Sequence, residues 1–308
     1  MNNFPKVSII IVNYNGIDDT LECLNSLKSL GYPNCEVIVI DNASRDASSA
    51  LNKIYNDFPN VKIISLGQNL GFAGGNNVGI DYALKQQKAE YVLLLNNDTI
   101  VAPDFLKKMV GAGESDKKIG IVGAKIYYHS DPTRIWYNGG YFSWTDGGKH
   151  KECGQIDANP NDAKIKPTNF ITGCAMLVKA ETILNIGLMD ESFFMYYEDI
   201  DWSLRAKEAG YKIVVATGAH IWHKVSRSAI KMGGPKRHYY HIRNALFFAK
   251  KHASPMTLKI LILWSRYYYF KQIIKSVLLP SKKEISQMIM LGIKDFNRKR
   301  FGELKNDL

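Results

Sequence analysis

The chain has 308 residues, of which 46% are hydrophobic and 22% are charged. This composition excludes a disordered or fibrous chain, and the length suits one large α/β domain with an appendage or two modest domains. The four cysteines form no C-x-x-C pair and have no regular spacing, so neither a zinc knuckle nor a disulfide framework is indicated, and we expect reduced thiols in a cytosolic protein.

The net charge of +11 is concentrated near the C-terminus. Residues 224–308 carry 19 Lys and Arg against 4 acidic residues, a net charge of +15, whereas residues 1–223 carry a net charge of −4. Basic tails of this kind meet nucleic acid or anionic membrane surfaces.

Four strand and helix units are predicted in the first hundred residues. The strands are short apolar runs, at Val7–Asn13, Glu36–Ile40, Val61–Leu66 and Tyr91–Leu95. Such runs are typical of strands that helices cover on both faces. The first run is too short for a signal peptide. We therefore predict a doubly wound α/β sheet with right-handed crossovers.

Polar side chains follow these strands where each strand ends. Asn13 follows the first strand, Asp41 the second and Asp98 the fourth. Open α/β sheets bind ligands at the carboxyl ends of their strands, so a metal or phosphate site is expected there. A polar strand end that only caps the next helix, opened by Pro103, is the alternative.

The stretch Asn69–Asn77, NLGFAGGNN, is interpreted as a glycine-rich loop. Its spacing matches no phosphate-binding motif, and the first strand is not followed by G-x-G-x-x-G, so a dinucleotide fold is not indicated. The stretch either shapes a pocket or simply requires small residues.

Less regular segments follow. We predict a hairpin within Trp136–Lys149, a polar loop over Asp157–Pro167 and a buried strand over Ile171–Val178. Two histidines, His220 and His223, then lie three residues apart. They are either metal ligands or ordinary packed side chains.

A cluster of acids follows a run of aromatic residues in FFMYYEDIDWSLR. Glu198, Asp199 and Asp201 lie in the first turn of a predicted helix, where they complement the helix dipole. A bulky apolar lead-in also suits a general base, because partial desolvation moves the pKa of a carboxylate toward working pH. Both readings stay open from the residues alone.

Together these motifs resemble those of inverting nucleotide-sugar glycosyltransferases with the GT-A fold, in the family-2 group, near the bacterial rhamnosyltransferases of cell-surface polysaccharide synthesis. The matching segments are VSIIIVNYNG, VIVIDNAS, NLGFAGGNNVGI, LLLNNDT, TGCAMLVK and MDESFFMYYEDIDWSLRAKEAGYK, followed by HIWHKVSRS. The resemblance implies a Rossmann-like, mostly parallel GT-A domain over residues 1–228 and a basic helical extension over residues 229–308.

The resemblance also implies which residues bind the donor. Asn13, Asn15 and Asp41 are expected at the nucleoside, and Asn97 at the ribose or the sugar. The donor pocket is expected to be lined by further residues, namely Asn69, Asn77 and, near the phosphates or the acceptor, Arg243.

The resemblance further implies a metal and a catalytic base. Asp98 and His223 are expected to hold Mg²⁺ or Mn²⁺ on the donor diphosphate. Asp199 is expected to deprotonate the acceptor hydroxyl, with Glu198 beside it. The D-x-D motif of the family reads Asn96-Asn97-Asp98 here, so we expect the metal to depend on His223 and on the donor phosphates.

The C-terminal extension combines apolar and basic residues. Met256–Leu279 is apolar and aromatic but is interrupted by four basic residues, too many for a transmembrane span and suited to an interfacial helix. A second short helix with the basic run Arg298–Arg300 is predicted after Pro280. Packing on the catalytic domain or on another subunit is the alternative. No nucleic-acid reader motif accompanies the charge, so no nucleic-acid partner is expected.

The resemblance therefore implies an enzyme that moves a sugar, such as L-rhamnose, from a dTDP- or UDP-sugar to a glycan or polyprenyl-diphosphate-linked acceptor, at the inner face of the cell membrane. A sugar nucleotidyltransferase is one alternative, but it would need a glycine-rich basic loop after the first strand. A non-catalytic membrane or nucleic-acid binding protein is another, and it would leave the ordered acids without a role.

Overall fold

A computed structural model describes residues 4–45, 47–225 and 234–305. Its strands are β1 Val7–Asn13, β2 Cys35–Asp41, β3 Lys62–Ser65, β4 Tyr91–Leu95, β5 Thr99–Val101, β6 Ile119–Tyr128, β7 Asp131–Tyr137, β8 Gly140–Ser143, β9 Gly147–His150, β10 Ile165–Pro167, β11 Ala175–Lys179 and β12 Lys212–His223. Its helices are α1 Ile17–Leu27, α2 Ala47–Asp57, α3 Gly71–Lys85, α4 Phe105–Glu114, α5 Ala180–Ile186, α6 Glu198–Glu208, α7 Gly234–His252, α8 Pro255–Leu278 and α9 Lys283–Asn297. The expected domain boundary between residues 228 and 229 lies outside the described residues.

One large sheet organises the domain, in the strand order β10-β12-β6-β11-β4-β1-β2-β3. The four strands from β3 to β4 are parallel to one another. Strand β11 then runs antiparallel to both β4 and β6, while β12 is parallel to β6. The predicted Rossmann-like α/β fold is confirmed, with a parallel first half and a mixed second half.

Strand β1 lies in the middle of the parallel half and is covered on both faces. Ser8, Ile9, Ile10 and Ile11 are all 0% exposed. Successive side chains of a strand point to opposite faces, so this uninterrupted burial requires helices on each side. Each buried isoleucine contributes roughly 1.5–3 kcal/mol relative to an exposed one.

The glycine-rich stretch is not the loop that the sequence suggested, because helix α3 already begins at Gly71. Its glycines allow a close approach of α3 to β1. A Cβ atom at Gly79 would lie 2.5 Å from Cγ2 of Ile10, and one at Gly75 would lie 3.0 Å from Cγ1 of Val12. The small residues are therefore needed for helix packing.

Other local predictions are confirmed or corrected. The hairpin is present as β8 and β9, but the segment expected to be a loop over 157–167 contains β10. Residues 171–174 precede β11 and are not part of it. The sequence predicts that Asp18-Asp19-Thr20 caps the helix after β1. In the structure these residues lie within the first turn of α1, and the residue before the helix, Gly16, has no side chain to cap it.

Helix α7, in the predicted C-terminal extension, packs closely on the sheet domain. Phe248 belongs to the main hydrophobic core, and Lys251 and His252 contact Asp201 of α6 at 2.7 and 2.8 Å. Helix α9 packs against α7 through Ile289 and its neighbours, and α8 lies outermost. Within the described ranges, every helix is too short or too polar to cross a membrane.

We predict that Gly79→Ala destabilises the protein by about 1–3 kcal/mol, because the added methyl group overpacks the contact between α3 and Ile10. Urea denaturation measures this change. Gly111→Ala is the matched control, since Gly111 lies inside α4 with no atom within 4 Å of its Cβ position. That control should gain up to about 1 kcal/mol from helix propensity, and equal effects of the two substitutions would contradict the packing argument.

Candidate active site

Asn13 and Asp41 form a buried pair at the carboxyl ends of β1 and β2. The strand register places the two residues opposite each other, and Asn13 Nδ2 donates to Asp41 Oδ1 at 3.0 Å. The other carboxylate oxygen of Asp41 accepts from the Ser44 backbone amide at 3.2 Å. Asn13 is 0% and Asp41 1% exposed, so the pair lies beneath the surface at this edge of the sheet.

Asn97 is connected to this pair through Thr20. Asn97 Nδ2 donates to Thr20 Oγ1 at 3.0 Å, and Thr20 Oγ1 donates to Asn13 Oδ1 at 3.0 Å. Above them Asn15 is exposed with a φ of 54°, and its Oδ1 accepts from the Arg45 amide at 2.9 Å. The structure thus brings together the four polar residues expected at the nucleoside and ribose, as one hydrogen-bonded network.

Asp98 and His223 lie side by side at the end of β4. The antiparallel pairing of β5 with β12 sets Thr99 opposite His223, which places His223 next to Asp98. His223 Nε2 is 3.0 Å from Asp98 Oδ1, and both side chains are at least nine-tenths buried. Burial lowers the pKa of His223, but Cys174 and Asp98 outweigh this effect and raise it to about 10.

This pair fits a divalent cation that a substrate helps to hold. A carboxylate oxygen and a neutral imidazole nitrogen are both metal ligands, and Asp98 Oδ1 and His223 Nε2 lie close enough together, at 3.0 Å, to share one cation. Across the described part of the chain, no group of three or more potential ligands is found. Mg²⁺ commonly takes one or two protein ligands and completes its shell with phosphates and water, as this site requires.

Glu198 and Asp199 begin helix α6. Asp199 is half-buried, and its Oδ2 and Oδ1 accept from the amides of Gly173 at 3.0 Å and Ile200 at 2.8 Å. Burial raises the pKa of Asp199 despite these hydrogen bonds. Burial and the charge of Asp199 raise the pKa of Glu198 well above its ordinary value.

The turn Gly173–Cys174 connects the two parts of the site. Gly173 donates its amide to Asp199, and the next residue, Cys174, contacts His223. The carbonyl of Cys174 also accepts from Asn96, next to the Asn97-Asp98 pair. The carboxylate at the start of α6 and the pair Asp98–His223 are therefore separated by only this turn.

The segment before Glu198 is held in an unusual backbone conformation. Phe194, Tyr196 and Tyr197 have φ values of 63°, 65° and 77°. Bulky residues rarely adopt the left-handed region, and such strain is concentrated at functional sites. The carbonyl of Phe194 also accepts from the Phe72 amide at 2.7 Å, at the start of α3.

Three residues expected in the donor pocket have other contacts. Asn69 Oδ1 accepts from the Gly71 amide at 2.9 Å and shapes the entry to α3. Asn77 is buried and donates to the Met189 carbonyl at 2.9 Å. Arg243 is 0% exposed, and its donors are taken by carbonyls, including Phe193 at 3.0 Å. Asn77 and Arg243 are buried, and their hydrogen bonds support the segment that leads to Glu198. Their expected roles at the donor stay predictions.

Sequence reasoning missed three residues of this site. Thr20 was interpreted as a helix cap, Cys174 as part of a strand, and Asn244 was not singled out for a role. Their contacts join segments far apart in the chain, for which a single sequence carries no signal. Lys224, the residue after His223, also forms ion pairs with two acids of α1, with Asp19 at 3.2 Å and with Glu22 at 2.6 Å.

The family model described as Glycosyl transferase family 2 matches residues 8–181, more than half of the chain. The chain therefore belongs to this family and is a glycosyltransferase. Membership excludes the nucleotidyltransferase and the non-catalytic binding protein as readings of the whole chain. The match covers the sheet edge with Asn13, Asp41 and Asp98.

Curated relatives include rhamnosyltransferases. The dTDP-rhamnosyl transferase RfbF of Shigella flexneri is 27% identical over 83% of this chain and 83% of its own length. The N-acetylglucosaminyl-diphospho-decaprenol L-rhamnosyltransferase of Mycobacterium tuberculosis is 25% identical over 70% of this chain and 75% of its own length. These similarities support the rhamnosyltransferase-like subgroup that the motifs indicated.

Solved structures share the fold. The mannosyltransferase PcManGT from Pyrobaculum calidifontis, in complex with GDP-Man and Mn²⁺, superposes with a TM-score of 0.59 at 15% identity, over 97% of this chain and 88% of that one. GalNAc-T7 with UDP, GalNAc and Mn²⁺ superposes with a TM-score of 0.61 at 15% identity, over 97% of this chain and 57% of that one. These likenesses confirm the GT-A fold.

We predict that Mn²⁺ strengthens binding of UDP or dTDP to the wild-type protein by about tenfold or more, roughly 1.4 kcal/mol, and that Asp98→Asn abolishes this gain because an amide is a poor ligand for a hard cation. Calorimetric titration with and without Mn²⁺ measures it. Asp81→Asn is the control, since Asp81 forms an exposed ion pair with Lys85 on α3. An undiminished Mn²⁺ effect in Asp98→Asn would remove the metal role of Asp98.

Proposed function

We propose that this protein transfers L-rhamnose from dTDP-rhamnose to a hydroxyl of a lipid-linked glycan, with inversion at the anomeric carbon. The observation that carries the proposal is the pairing, across one turn, of the desolvated carboxylate Asp199 with the Asp98–His223 pair. In this proposal Asp199 is the base for the acceptor hydroxyl, and the Asp98–His223 pair is the binding place of the donor diphosphate. The names of two relatives support the choice of sugar, and the second also supports the polyprenyl-linked acceptor.

The donor is proposed to bind over the carboxyl ends of β1, β2 and β4. Both carboxylate oxygens of Asp41 already accept hydrogen bonds within the protein. The nucleoside is therefore proposed to contact the loop at Tyr14 and Asn15, which hydrogen bonds to the backbone hold in place. Tyr14 is 47% exposed there and offers an aromatic face for the base. Asp98 and His223 would hold Mg²⁺ or Mn²⁺, which stabilises the negative charge on the departing diphosphate.

The transfer is a single displacement. Asp199 accepts the proton of the acceptor hydroxyl as its oxygen bonds to the anomeric carbon, and the bond from that carbon to the diphosphate oxygen breaks. A raised pKa makes Asp199 a stronger base, while the amides of Gly173 and Ile200 keep it oriented. Glu198 is more deeply buried, at 5% exposed, and burial together with the charge of Asp199 raises its pKa well above its ordinary value, which disfavours its carboxylate form. We therefore assign the base to Asp199.

We predict that Asp199→Asn lowers kcat by roughly 10²–10⁴-fold, whereas Glu198→Gln stays within about tenfold of wild type because glutamine keeps the size of a side chain that transfers no proton in the proposed mechanism. Release of dTDP from dTDP-rhamnose in the presence of a polyprenyl-diphosphate-linked acceptor measures both. Because the pKa of Asp199 is raised, activity should rise with pH through a limb above the ordinary range for aspartate.

Asp104→Asn is the control for this pair, since Asp104 forms a surface ion pair with Lys108. A larger loss in Glu198→Gln than in Asp199→Asn would reassign the base. A wild-type protein that turned over UDP- or GDP-sugars but not dTDP-rhamnose would overturn the choice of donor.

We further propose that α8 lies on the anionic inner face of the cell membrane. Its outward apolar residues are spaced three or four apart and are each between 54% and 73% exposed; they are Ile260, Leu263, Tyr267, Phe270, Ile274 and Val277. Its buried residues are polar, since Ser265 and Gln272 face inward and Gln272 Oε1 accepts from Ser286 of α9 at 2.9 Å. A helix that buries polar groups and exposes apolar ones is built to contact something apolar.

Charge identifies the proposed partner of this surface. Helix α8 contains four basic residues and no acidic one. Lys259, Arg266 and Lys271 are exposed beside the apolar residues. Aromatic and apolar side chains mixed with cations suit the headgroup region of an anionic bilayer.

We predict that the protein co-sediments with vesicles of phosphatidylglycerol and phosphatidylcholine, that added salt weakens this binding, and that the double substitution Tyr267→Glu with Phe270→Glu abolishes it. Leu184→Glu is the matched control, because Leu184 is 77% exposed on α5 of the catalytic domain. Equal binding to vesicles of pure phosphatidylcholine would refute the proposal that the basic residues of α8 bind anionic headgroups. A dimer in solution that the double substitution dissociates, without vesicle binding, would assign the surface to a second copy of the chain.

A further inference from the structure

The side chain of Asn244 contacts the strained segment before Glu198. Its Nδ2 lies 2.9 Å from the carbonyl oxygen of Phe193, 2.7 Å from that of Met195 and 2.9 Å from that of Tyr196. Asn244 is 0% exposed, on α7, about fifty positions away in the chain. A single amide group with two N–H donors thus lies within hydrogen-bond distance of three carbonyl oxygens in the segment that connects the 3-10 turn Glu191–Phe193 to α6.

Arg243 orients this amide. Its Nε donates to Asn244 Oδ1 at 2.9 Å, which turns the Nδ2 group toward the segment. Its Nη2 donates to the Phe193 carbonyl at 3.0 Å, and its Nη1 donates to the Gly302 carbonyl at 2.6 Å. The guanidinium therefore joins the segment, α7 and the end of the chain that follows α9.

The carbonyls that Asn244 binds belong to residues at or next to the left-handed positions. Phe194, Tyr196 and Tyr197 have positive φ, and Tyr197 is the residue that immediately precedes α6. Without the amide, we expect these residues to relax toward negative φ and the start of α6 to move with them. Asp199 lies in that first turn, held to Gly173 by one hydrogen bond of 3.0 Å.

We propose that Asn244, oriented by Arg243, is a positioning residue for catalysis: it holds residues 193–197 in the conformation that places Asp199 beside Gly173 and Cys174. This inference rests on the proposed function, in which Asp199 is the base. Asn244 itself touches no reacting atom. Its removal changes the position of the base and leaves the donor site at β1, β2 and β4 intact.

The test compares Asn244→Ala with two controls. Leu246→Ala removes a side chain that is 2% exposed on the same helix and packs on α9, so it destabilises the protein without touching the segment. Tyr240→Phe removes only the hydroxyl that accepts from the Leu304 amide and keeps the ring stacked on Phe194. Arg243→Lys serves as a second variant that keeps the charge and loses the fork geometry.

We expect Asn244→Ala to lower kcat by about 10–100-fold, because small displacements of a catalytic group have effects of this size, while KM for the donor and calorimetric Kd for dTDP change little. Hydrogen exchange of the amides in residues 193–201 should become faster. Arg243→Lys should show the same pattern more weakly. Leu246→Ala should lower Tm with wild-type kcat, and Tyr240→Phe should match wild type.

Unchanged kcat and unchanged exchange in Asn244→Ala would overturn the proposal, as would a loss of kcat in Leu246→Ala that follows its loss of Tm. If Asn244→Ala does not fold, Arg243→Lys decides by the same criteria. Hydrogen exchange needs no turnover. A wild-type protein without transferase activity would therefore count against the proposed function, and the exchange data would still show whether Asn244 holds the segment.

Discussion

The register of β1 against its two neighbours determines where the polar side chains of this protein meet. It sets Asn13 opposite Asp41 of β2 and pairs Ile10 with Leu94 of β4. Strand β4 therefore ends at the same edge of the sheet as β1, and Asp98 follows it there. A slip of one residue would turn every side chain of β1 to the opposite face and separate Asn13 from Asp41. The packing of α3, which needs glycine opposite Ile10 and Val12, makes that register the favourable one.

Differences in environment give the carboxylates of the site different roles. Asp98 is held beside an imidazole that favours positive charge, while burial raises the pKa of Asp199 and Glu198. Burial alone would also raise the pKa of Asp201, but His252, Arg205 and Lys251 lower it to about 2. Asp201 therefore serves as a permanent anion that attaches α7 to α6.

The C-terminal extension has two parts with different relationships to the catalytic domain. Helix α7 shares its core and its hydrogen bonds, and the left-handed residues next to Asn244 each store roughly 1–3 kcal/mol of strain. Each hydrogen bond that opposes this strain contributes about 0.5–1.5 kcal/mol, so several are needed, and Arg243 and Asn244 supply them. Helix α8 instead exposes its apolar side chains outward.

The sequence alone determined the alternation of strands and helices, the edge carrying Asn13, Asp41 and Asp98, and the acids that open α6, because apolar periodicity and strand ends are local signals. The family resemblance added the base and the metal pair, and these roles stay predictions. Tertiary structure alone decided that the glycine-rich stretch is a helix, that Asn77 and Arg243 are buried, that Cys174 contacts His223 and that Asn244 contacts the segment before Glu198. Each of these depends on contacts between distant segments, and residue type in one sequence does not report which distant partner will remove a side chain from water.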